Sequence, residues 1–356
     1  MIPVTKAFLP LIEEYKEKLN EIWESGWITN NGKFVKQLES QLRDKLGVNY
    51  LFFCSNGTIV IQMALKALNI TGEVITTPFS YVATTNSILW EGCEPVFTDI
   101  SSRDFNIDCS LIEKSITPKT TAILATHVYG NPCDVETIER IANKYRLKVI
   151  YDGAHAFGVQ YKGKSLLSYG DIATCSFHAT KIFHTVEGGS ISCNDALLAD
   201  TIMKYRQFGH VYDEYYSVGI NGKNSEFHAA MGLCNLNHFD EILLNRKEIC
   251  QWYDIELAGK VGFPIPIDET TVNYAYYPIT LENETILLKI IEQLNEQQIF
   301  PRRYFYPSLN KLPFITKQYE CPVSEDISRR VLSLPLFYGM GKEIVEIVSN
   351  IIKKNI

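Results

Sequence analysis

The chain has 356 residues, of which 46% are hydrophobic and 21% are charged, and its formal net charge is −7 with a pI near 5.6. This length predicts roughly two domains with a sizeable core. The acidic balance and the absence of a basic cluster argue against nucleic-acid binding, and no apolar run is long enough to predict a membrane span.

The first residues do not resemble a secretory signal. Nine cysteines are scattered along the chain, and no two of them lie closer than sixteen residues. This spacing indicates free thiols in a reducing compartment and neither a disulfide framework nor a zinc site. His178 and His184 lie six residues apart, which is not a metal-ligand spacing. We therefore expect a cytoplasmic protein without a bound metal.

The first motif with chemical content follows a short apolar run. Leu51–Cys54 has the pattern of a buried strand, Ser-Asn-Gly-Thr follows at 55–58, and the apolar segment Ile59–Leu68 has helical length. The serine or the asparagine caps the helix, Gly57 lets a ligand approach the backbone, and Thr58 offers a hydroxyl and an amide. The motif predicts a phosphate site, although an ordinary capped helix has the same pattern.

Between residues 46 and 192, seven short apolar runs alternate with helical patterns such as Val135–Tyr145. This alternation predicts a mostly parallel sheet covered on both faces. The runs are Leu51–Cys54, Glu73–Thr76, Pro95–Thr98, Thr121–His127, Lys148–Tyr151, Ile172–Phe177 and Gly189–Ser192. Ligands of such sheets collect at the carboxyl ends of the strands, so the loops that carry Tyr81, Asp152 and Lys181 form the expected site.

An aspartate and a lysine stand out among these loops. Asp152 ends an apolar run, and Lys181 lies 29 residues later in a turn that contains serine and glycine. Pyridoxal phosphate (PLP) needs a lysine for covalent attachment and an acid that keeps its pyridine nitrogen protonated. The amine has an ordinary pKa near 10.4, and we expect burial and the cofactor to lower it. Together with the phosphate motif, the pair predicts a PLP site.

After residue 236 the pattern changes to that of a small α+β domain. A helix is predicted at Asn237–Leu257, an aromatic strand at Val272–Leu281 and a second helix at Glu284–Gln297, followed by Ile299–Pro307. We therefore expect a large PLP-binding domain with an N-terminal arm at residues 1–236, and a small domain at 237–356.

Several motifs follow one another in an order that resembles the DegT/StrS family of sugar aminotransferases. They are SNGT, PFSYVAT, HVYGNPCDVE, VIYDGAHAFG, YGDIATCSFHATK and EGG, and the resemblance extends from Ile2 to about Tyr338. It implies a fold-type I PLP enzyme of the α/β class, with a mostly parallel seven-stranded sheet between helices and a smaller C-terminal α+β domain. It also implies amino transfer to a nucleotide-linked keto sugar, with L-glutamate as the donor.

The resemblance assigns roles to residues that contact the cofactor. These residues are Gly57, Thr58, Tyr81, Asp152, His155, Ser176, Lys181 and Asn221. Lys181 would carry PLP and move the proton, His155 would lie near the phenolic oxygen or the ring face, and Ser176 would bond the phosphate. Tyr81 would stack on the ring, with Phe79 as the rival. A core role for His155 and a turn role for Ser176 remain alternatives.

The segment Gly219–Glu226 resembles the family loop that reaches into the neighbouring subunit. Asn221 would there touch the partner's PLP phosphate, which implies a homodimer with shared active sites. Asn-Gly is also one of the commonest turn dipeptides. The chain departs from the family pattern at Asn224, where methionine or another apolar residue is usual.

The substrate side is implied by two further segments and by one residue near the lysine. Residues 302–307, Arg-Arg-Tyr-Phe-Tyr-Pro, match the family segment near the nucleotide sugar, where arginine suits a pyrophosphate and tyrosine stacks on a base. Residues 27–32 resemble a second substrate-side loop. The implied contacts are Thr29, His184, Arg303 and Tyr306, and a solvated surface is the alternative for the arginines.

The string FHATKIFHTVEGG resembles that of 4-aminotransferases more than the FYPGKN-like string of 3-aminotransferases. The expected substrate is therefore dTDP-4-dehydro-6-deoxy-D-glucose, a 4-keto-6-deoxy sugar. A 3-keto-sugar aminotransferase is the first alternative. A PLP-dependent sugar dehydratase is the second, although such relatives replace the lysine with histidine. The third is a non-catalytic sugar-nucleotide sensor, which would be expected to carry a DNA-binding appendage.

Overall fold

The computed structural model describes all 356 residues. Seven strands form its central sheet, and their bounds agree with the seven predicted runs to within one residue at each end. The strands are β1 (Tyr50–Cys54), β2 (Glu73–Thr76), β3 (Glu94–Phe97), β4 (Thr120–Thr126), β5 (Lys148–Asp152), β6 (Ile172–Ser176) and β7 (Gly189–Cys193).

The order across the sheet is β1-β7-β6-β5-β4-β2-β3, and β7 alone runs antiparallel to its neighbours. The register places Gly189 of β7 between Cys54 of β1 and Ser176 of β6. Asp152 of β5 pairs with Thr174 of β6. The carboxyl ends of β1, β5 and β6 therefore meet at one edge of the sheet, and this edge carries the predicted site.

Twelve α-helices surround and extend the sheet. They are α1 (Ile12–Ser25), α2 (Lys33–Leu46), α3 (Gly57–Ala67), α4 (Val82–Trp90), α5 (Cys109–Ser115), α6 (Val135–Tyr145), α7 (Ala196–Arg206), α8 (Glu226–Asn237), α9 (Phe239–Leu257), α10 (Glu284–Glu296), α11 (Pro322–Arg330) and α12 (Lys342–Lys353). None of them combines the length and the apolar character that a membrane crossing requires.

Short strands join distant parts of the chain outside the central sheet. Ile2–Pro3 pairs with Ile299–Phe300, which attaches the N-terminus to the C-terminal part of the chain. The other pairings are His210–Val211 with Glu214–Tyr215, Gln160–Tyr161 with both Lys164–Ser165 and Thr270–Thr271, and Pro278–Thr280 with Val331–Ser333.

The hydrophobic core has a layer on each face of the sheet and a third cluster in the C-terminal part. Alternating side chains of one strand point to opposite faces, so Tyr151 of β5 packs in the larger layer while Ile150 packs in the other. The third cluster runs from Ile249 to Ile352. Helix α9 contributes to two of the clusters, with Phe239 in the larger layer and Ile249 in the third. The division at residue 236 stays a prediction.

The predicted strand Val272–Leu281 is largely wrong, because only Pro278–Thr280 is extended and paired in this stretch. Hydrogen bonds of two buried side chains hold residues 273–275 in place instead. Asn273 donates to the carbonyls of His155 and Phe157, and Arg246 donates to the carbonyls of residues 274 and 275. An aromatic run thus became an irregular segment, because side-chain partners replaced a strand partner.

Candidate active site

The N-terminus of helix α3 has the structure that the Ser-Asn-Gly-Thr motif predicts. Asn56 is the cap, since its Oδ1 accepts hydrogen bonds from the backbone N–H groups of Thr58 at 3.0 Å and Ile59 at 2.9 Å. The cap fixes the start of α3 directly after β1. The positive end of this helix therefore faces the sheet edge where the site is expected, and such an end favours an anion.

Gly57 and Ser176 lie so close together that glycine is required. A Cβ atom at Gly57 would lie 2.7 Å from Cβ and 2.9 Å from Oγ of Ser176. The Ser176 hydroxyl therefore stands beside the first turn of α3. Its bond with the backbone N–H of His178 is long, at 3.5 Å, so the hydroxyl is not committed to a turn of its own. The two residues form a cradle of the size and polarity that suit a phosphate.

Asp152 is the buried acid of the site. Its Oδ2 accepts a hydrogen bond from Thr84 Oγ1 at 2.7 Å, and its Oδ1 accepts one from the backbone N–H of Ala154 at 3.0 Å. Burial raises the pKa of the carboxyl, while these two donors and the positive charge of Lys181 oppose that rise. A protonated pyridine nitrogen is a suitable partner for such a carboxylate, because it supplies both a positive charge and an N–H.

Thr84 is a functional candidate that sequence reasoning missed. Its hydroxyl is bonded to Ser80 Oγ at 2.9 Å, and Ser80 in turn accepts from Thr126 Oγ1 at 3.1 Å. Ser80, Thr84 and Thr126 are all buried. The three hydroxyls therefore hold Asp152 in one orientation. The available signal was the position of Thr84 in the PFSYVAT motif, but only the tertiary fold brings helix α4 to Asp152.

Lys181 lies in the turn after β6, and its Nζ donates a hydrogen bond to the Tyr276 hydroxyl at 3.2 Å. Burial, the strongest influence, lowers the pKa of Lys181, but Tyr276 and Asp152 favour the ammonium, and the pKa lies above its ordinary value. The lowered pKa that the sequence predicts for Lys181 is therefore not produced by the chain's own residues.

His155 lies in an aromatic stack and not in an aliphatic core. Its ring is nearly parallel to Phe305 at 5.5 Å and contacts Tyr276 edge-on at 4.7 Å. Its Nδ1 accepts from the backbone N–H of Tyr129 at 3.2 Å, so the proton of the neutral ring is on Nε2. Burial, assisted by the charge of Lys181, places the pKa of His155 well below its ordinary value. His155 is therefore a neutral donor beside the lysine.

Tyr81 and Phe79 differ sharply in exposure. Phe79 is fully buried and packs edge-on against Phe105 and Phe305, whereas Tyr81 is 59% exposed at the cap position of α4. Tyr81 is therefore the one of the two that has a free ring face, in agreement with the preference drawn from the sequence. Its contact with the cofactor stays a prediction.

The loop with Asn221 is anchored beside the phosphate cradle. The Gly222 carbonyl accepts from the backbone N–H of Ser55 at 3.0 Å, and the side chain of Asn221 is exposed. Asn224 is buried, and its Nδ2 donates to the carbonyls of Cys54 and Glu187. The departure from the family pattern at Asn224 thus has a structural role, because its amide ties the loop to the ends of two segments of the site.

The predicted substrate residues fall into two groups. Thr29 and Tyr306 are exposed. His184 is buried, and its Nε2 lies 2.7 Å from the Phe8 carbonyl while its Nδ1 accepts from the backbone N–H of Val186. Both of its ring nitrogens therefore have partners within the chain.

Arg303, like His184, has its partners within the chain. It is ion-paired with Glu284 at 2.6 Å and its guanidinium lies over the Tyr306 ring. The neighbouring Arg302 is exposed, has no carboxylate partner and lies 5.4 Å from the Tyr304 ring centroid. The substrate roles of His184 and Arg303 stay predictions, and Arg302 is the arginine free to meet an anion.

Comparisons with known proteins identify the family of the chain. The model of the DegT/DnrJ/EryC1/StrS aminotransferase family matches residues 10–353. A dTDP-4-amino-4,6-dideoxy-D-glucose transaminase of Shigella dysenteriae is 41% identical over 359 residues, covering 99% of this chain and 98% of that protein. A GDP-perosamine synthase of Escherichia coli O157:H7 is 33% identical over 338 residues, covering 93% and 92%.

A solved structure of DesI in the presence of its TDP-sugar product superimposes with a TM-score of 0.93 at 29% identity, covering 98% of this chain and 91% of that one. The fold and the site therefore define a PLP-dependent aminotransferase. The chain belongs to the DegT/DnrJ/EryC1/StrS aminotransferase family. The predicted family, fold class and PLP cofactor are confirmed.

Proposed function

We propose that the protein transfers an amino group from L-glutamate to C4 of a nucleotide-linked 4-keto-6-deoxy sugar, dTDP-4-dehydro-6-deoxy-D-glucose. The observation that carries this proposal is the 41% identity, over nearly the whole of both chains, to a transaminase named for dTDP-4-amino-4,6-dideoxy-D-glucose. The site supports it, because the chain retains a lysine, a buried acid and a phosphate cradle at adjacent strand ends.

Bound PLP supplies an electron sink for the carbon that loses its proton. The chain's own residues bind and orient the cofactor and move the proton. Gly57 and the hydroxyls of Thr58 and Ser176 would hold the phosphate at the positive end of α3, because the backbone N–H of Thr58 already donates to Asn56 Oδ1. Asp152 keeps the ring nitrogen protonated, with Thr84 fixing the carboxylate. These contacts position the cofactor before the reaction begins, so little reorganisation is needed during it.

The remaining cofactor-side groups handle the proton and the ring. Lys181 binds PLP covalently and, as a free amine, takes up and returns the proton at Nζ. His155 would offer its Nε2 proton to the phenolic oxygen, because its Nδ1 is occupied as an acceptor. Tyr81 covers the exposed ring face. The nucleotide sugar would contact the exposed Thr29 and Tyr306, and the exposed Arg302 would bond its pyrophosphate as a bidentate donor.

The position of amino transfer is tested with matched substrates. We expect turnover of dTDP-4-dehydro-6-deoxy-D-glucose and little turnover of the 3-keto dTDP sugar, with L-glutamate as donor in both assays. The GDP-linked 4-keto sugar is the control for the nucleotide, since a relative at 33% identity is named for a GDP sugar. Turnover of the 3-keto sugar alone would overturn the proposed position.

The alternatives from other classes are not favoured. A dehydratase of this scaffold has histidine in place of the lysine, and this chain has Lys181. A sensor would need no covalent attachment residue, and the family model covers residues 10–353 without room for a DNA-binding appendage within that range.

All nine cysteines are free thiols in the structure, which supports the proposed cytoplasmic location.

We further propose that the active form is a homodimer in which Asn221 completes the phosphate site of the partner subunit. The support is the exposed apolar surface beside Asn221. In the stretch from Phe208 to Val218, Tyr212 is 90% exposed and Val218 is 81% exposed. Apolar surface of this kind marks an interaction site. The hairpin His210–Tyr215 carries Tyr212, and Gln207 just before it pairs with Asn221.

A mixing experiment tests the shared site. Lys181→Ala and Asn221→Ala are prepared separately, shown to be inactive, and mixed under conditions that allow subunit exchange. In a mixed dimer one site carries both lesions and the other carries neither. Activity should return to about a quarter of wild type for random pairing of equal amounts. Verified mixed dimers that stay inactive would contradict the trans role of Asn221.

A further inference from the structure

The hydroxyl of Tyr276 has Lys181 as its only hydrogen-bond partner in the chain. The Lys181 Nζ donates to it at 3.2 Å and has no other hydrogen-bond acceptor. The two residues are 95 positions apart in sequence. Their contact is therefore a product of the fold and not of a local motif. Because a lysine side chain has many rotamers, one fixed acceptor strongly restricts where the free amine lies.

The position of Tyr276 is determined by buried polar groups behind it. Arg246 is buried and has no carboxylate partner. Its Nε donates to the Tyr274 carbonyl at 2.8 Å and its Nη2 donates to the Ala275 carbonyl at 2.6 Å. Asn273 Oδ1 accepts from the Ala275 N–H at 3.0 Å. A buried cation that bonds two successive carbonyls fixes the backbone just before Tyr276.

The ring of Tyr276 is held from its sides as well. It contacts His155 edge-on at 4.7 Å, Tyr129 at 5.7 Å and Tyr304 at 6.0 Å, measured between ring centroids. Backbone clamps and aromatic neighbours together leave the hydroxyl pointing to one place, which is the Lys181 amine.

Five titratable groups face Lys181 from four parts of the chain. Asp152 attracts its charge without a hydrogen bond, and His155 is neutral. Burial raises the pKa of Cys175 to about 12, so this thiol is also neutral. Tyr304 contacts the Tyr276 ring edge-on and influences Lys181 more weakly. Tyr276 is thus the group that offsets burial most strongly and the only one that bonds the amine.

We propose that Tyr276 is a catalytic residue that binds the free Lys181 amine and sets its proton affinity, with Arg246 as the residue that positions Tyr276. This inference rests on the proposed role of Lys181 in the transfer. The amine is free once it no longer holds the cofactor, and it must then stay within reach of the reacting carbon while it carries the proton. Tyr276 supplies that restraint from the chain itself.

The test measures the proton affinity of Lys181 directly. The full-length chain is freed of cofactor, its fold is checked by circular dichroism, and Lys181 is labelled with trace acetic anhydride over a pH series, with peptide mass analysis as readout. Tyr276→Phe should lower the labelling midpoint of Lys181, because burial then lowers the pKa of the amine without the opposing effect of the Tyr276 hydroxyl. Tyr277→Phe is the matched control, since the Tyr277 hydroxyl bonds Asp254 and not the lysine. An equal midpoint in wild type and Tyr276→Phe would overturn the proposal.

Two further measurements separate this role from a structural one. In the holoenzyme, Tyr276→Phe should lower kcat about tenfold while KM for the nucleotide sugar changes little, as expected for one lost hydrogen bond at a reacting atom. Arg246→Lys should shift the labelling midpoint in the same direction by less. A Tyr276→Phe loss confined to KM would contradict the role. If PLP attaches elsewhere, the proposed function fails, whereas the labelling result still reports on the Tyr276 contact.

Discussion

Two regions of different construction meet at Lys181. The site floor, defined as Gly57, Asp152, Ser176 and Lys181, lies at or just after the ends of paired strands, and ladder hydrogen bonds fix its backbone. The C-terminal wall, defined as residues 273–276 and 302–306, has almost no regular structure. Side chains such as Arg246 and Asn273 bond its carbonyls and N–H groups instead.

This difference in construction predicts how substitutions in the floor and in the wall will act. A strand end keeps its position when one side chain changes, so a substitution in the floor removes a chemical group and little else. The wall depends on individual side chains, so a substitution there also moves its neighbours. We therefore expect floor variants to lose rate with a preserved fold. Wall variants should differ from one another, because each wall side chain has its own partners, so that one change acts mainly on rate, another on substrate affinity and another on stability.

The largest effect is expected at Lys181. Lys181→Ala removes both the attachment point and the proton carrier, and amino transfer should fall by at least about 10⁴-fold. The unfolding midpoint should stay close to that of wild type, because no ladder bond is lost. The rate is measured by glutamate-dependent formation of the amino sugar. Residual activity above about a hundredth of wild type would show that the floor does not depend on this lysine.

Asp152→Asn should have the next largest effect. The amide has nearly the shape of the carboxylate but no negative charge, so the pyridine nitrogen loses the partner that keeps it protonated. We expect a fall in kcat of about 10²–10³, the range found when a single preorganised electrostatic partner is removed. The kinetic assay checks this, with bound PLP quantified in both proteins. A normal kcat at full PLP occupancy would contradict the role of Asp152.

A smaller loss is expected for Thr84→Val, which removes the hydrogen bond at Asp152 Oδ2. Bonds to charged groups contribute about 1.5–3 kcal/mol, so kcat should fall about 10- to 100-fold. The loss of this donor should also raise the pKa of Asp152 further, because the Thr84 hydrogen bond opposes the rise caused by burial. The acidic limb of the pH–rate profile should therefore move to higher pH.

Thr85→Val is the matched control for this experiment. Thr85 is buried next to Thr84, and its hydroxyl has no hydrogen-bond partner. Replacing an unpaired buried hydroxyl with a methyl group should leave kcat and the pH profile unchanged. Equal kinetic losses in the two variants would mean that Thr84 acts through packing and not through Asp152.

The smallest effect is expected in the wall, where substitutions of two adjacent arginines should have different consequences. Arg302→Gln should raise KM for the nucleotide sugar about tenfold, in line with the loss of one charge-assisted contact. Arg303→Gln should instead lower the unfolding free energy by about 1 kcal/mol, because Arg303 is paired with Glu284. Steady-state kinetics and denaturant titration of both variants check the pattern. A larger KM increase in Arg303→Gln would favour the role first predicted for Arg303.

Sequence reasoning reached the floor because its determinants are local. Asp152 ends an apolar run, Asn56 caps a helix, and Lys181 follows in a turn, so each is visible within about ten residues of its motif. The role of Ser176 was implied by the resemblance to the sugar aminotransferase family. The same local signals located all seven sheet strands. These patterns carry the physical cause of the structure, namely strand alternation and helix capping.

The structure of the wall could not be predicted in this way, because the side chains that fix it come from distant parts of the chain. Tyr276 looked like one aromatic residue in a predicted strand, and only Arg246 and Asn273 turn that stretch into an irregular segment. His184, outside the wall, also has a distant partner. Its substrate contact stays a prediction, and the N-terminal arm supplies the Phe8 carbonyl that lies at its Nε2. No local pattern reports a partner 176 residues away.

The central claim is that Lys181 carries the cofactor, and covalent labelling tests it most directly. The holoenzyme is reduced with borohydride, digested, and analysed by peptide mass spectrometry, with Lys181→Ala as the control. The structure predicts a single modified peptide that contains Lys181, which is absent from the control. Label on another lysine, or no label in an enzyme that contains PLP, would contradict the assignment of the site.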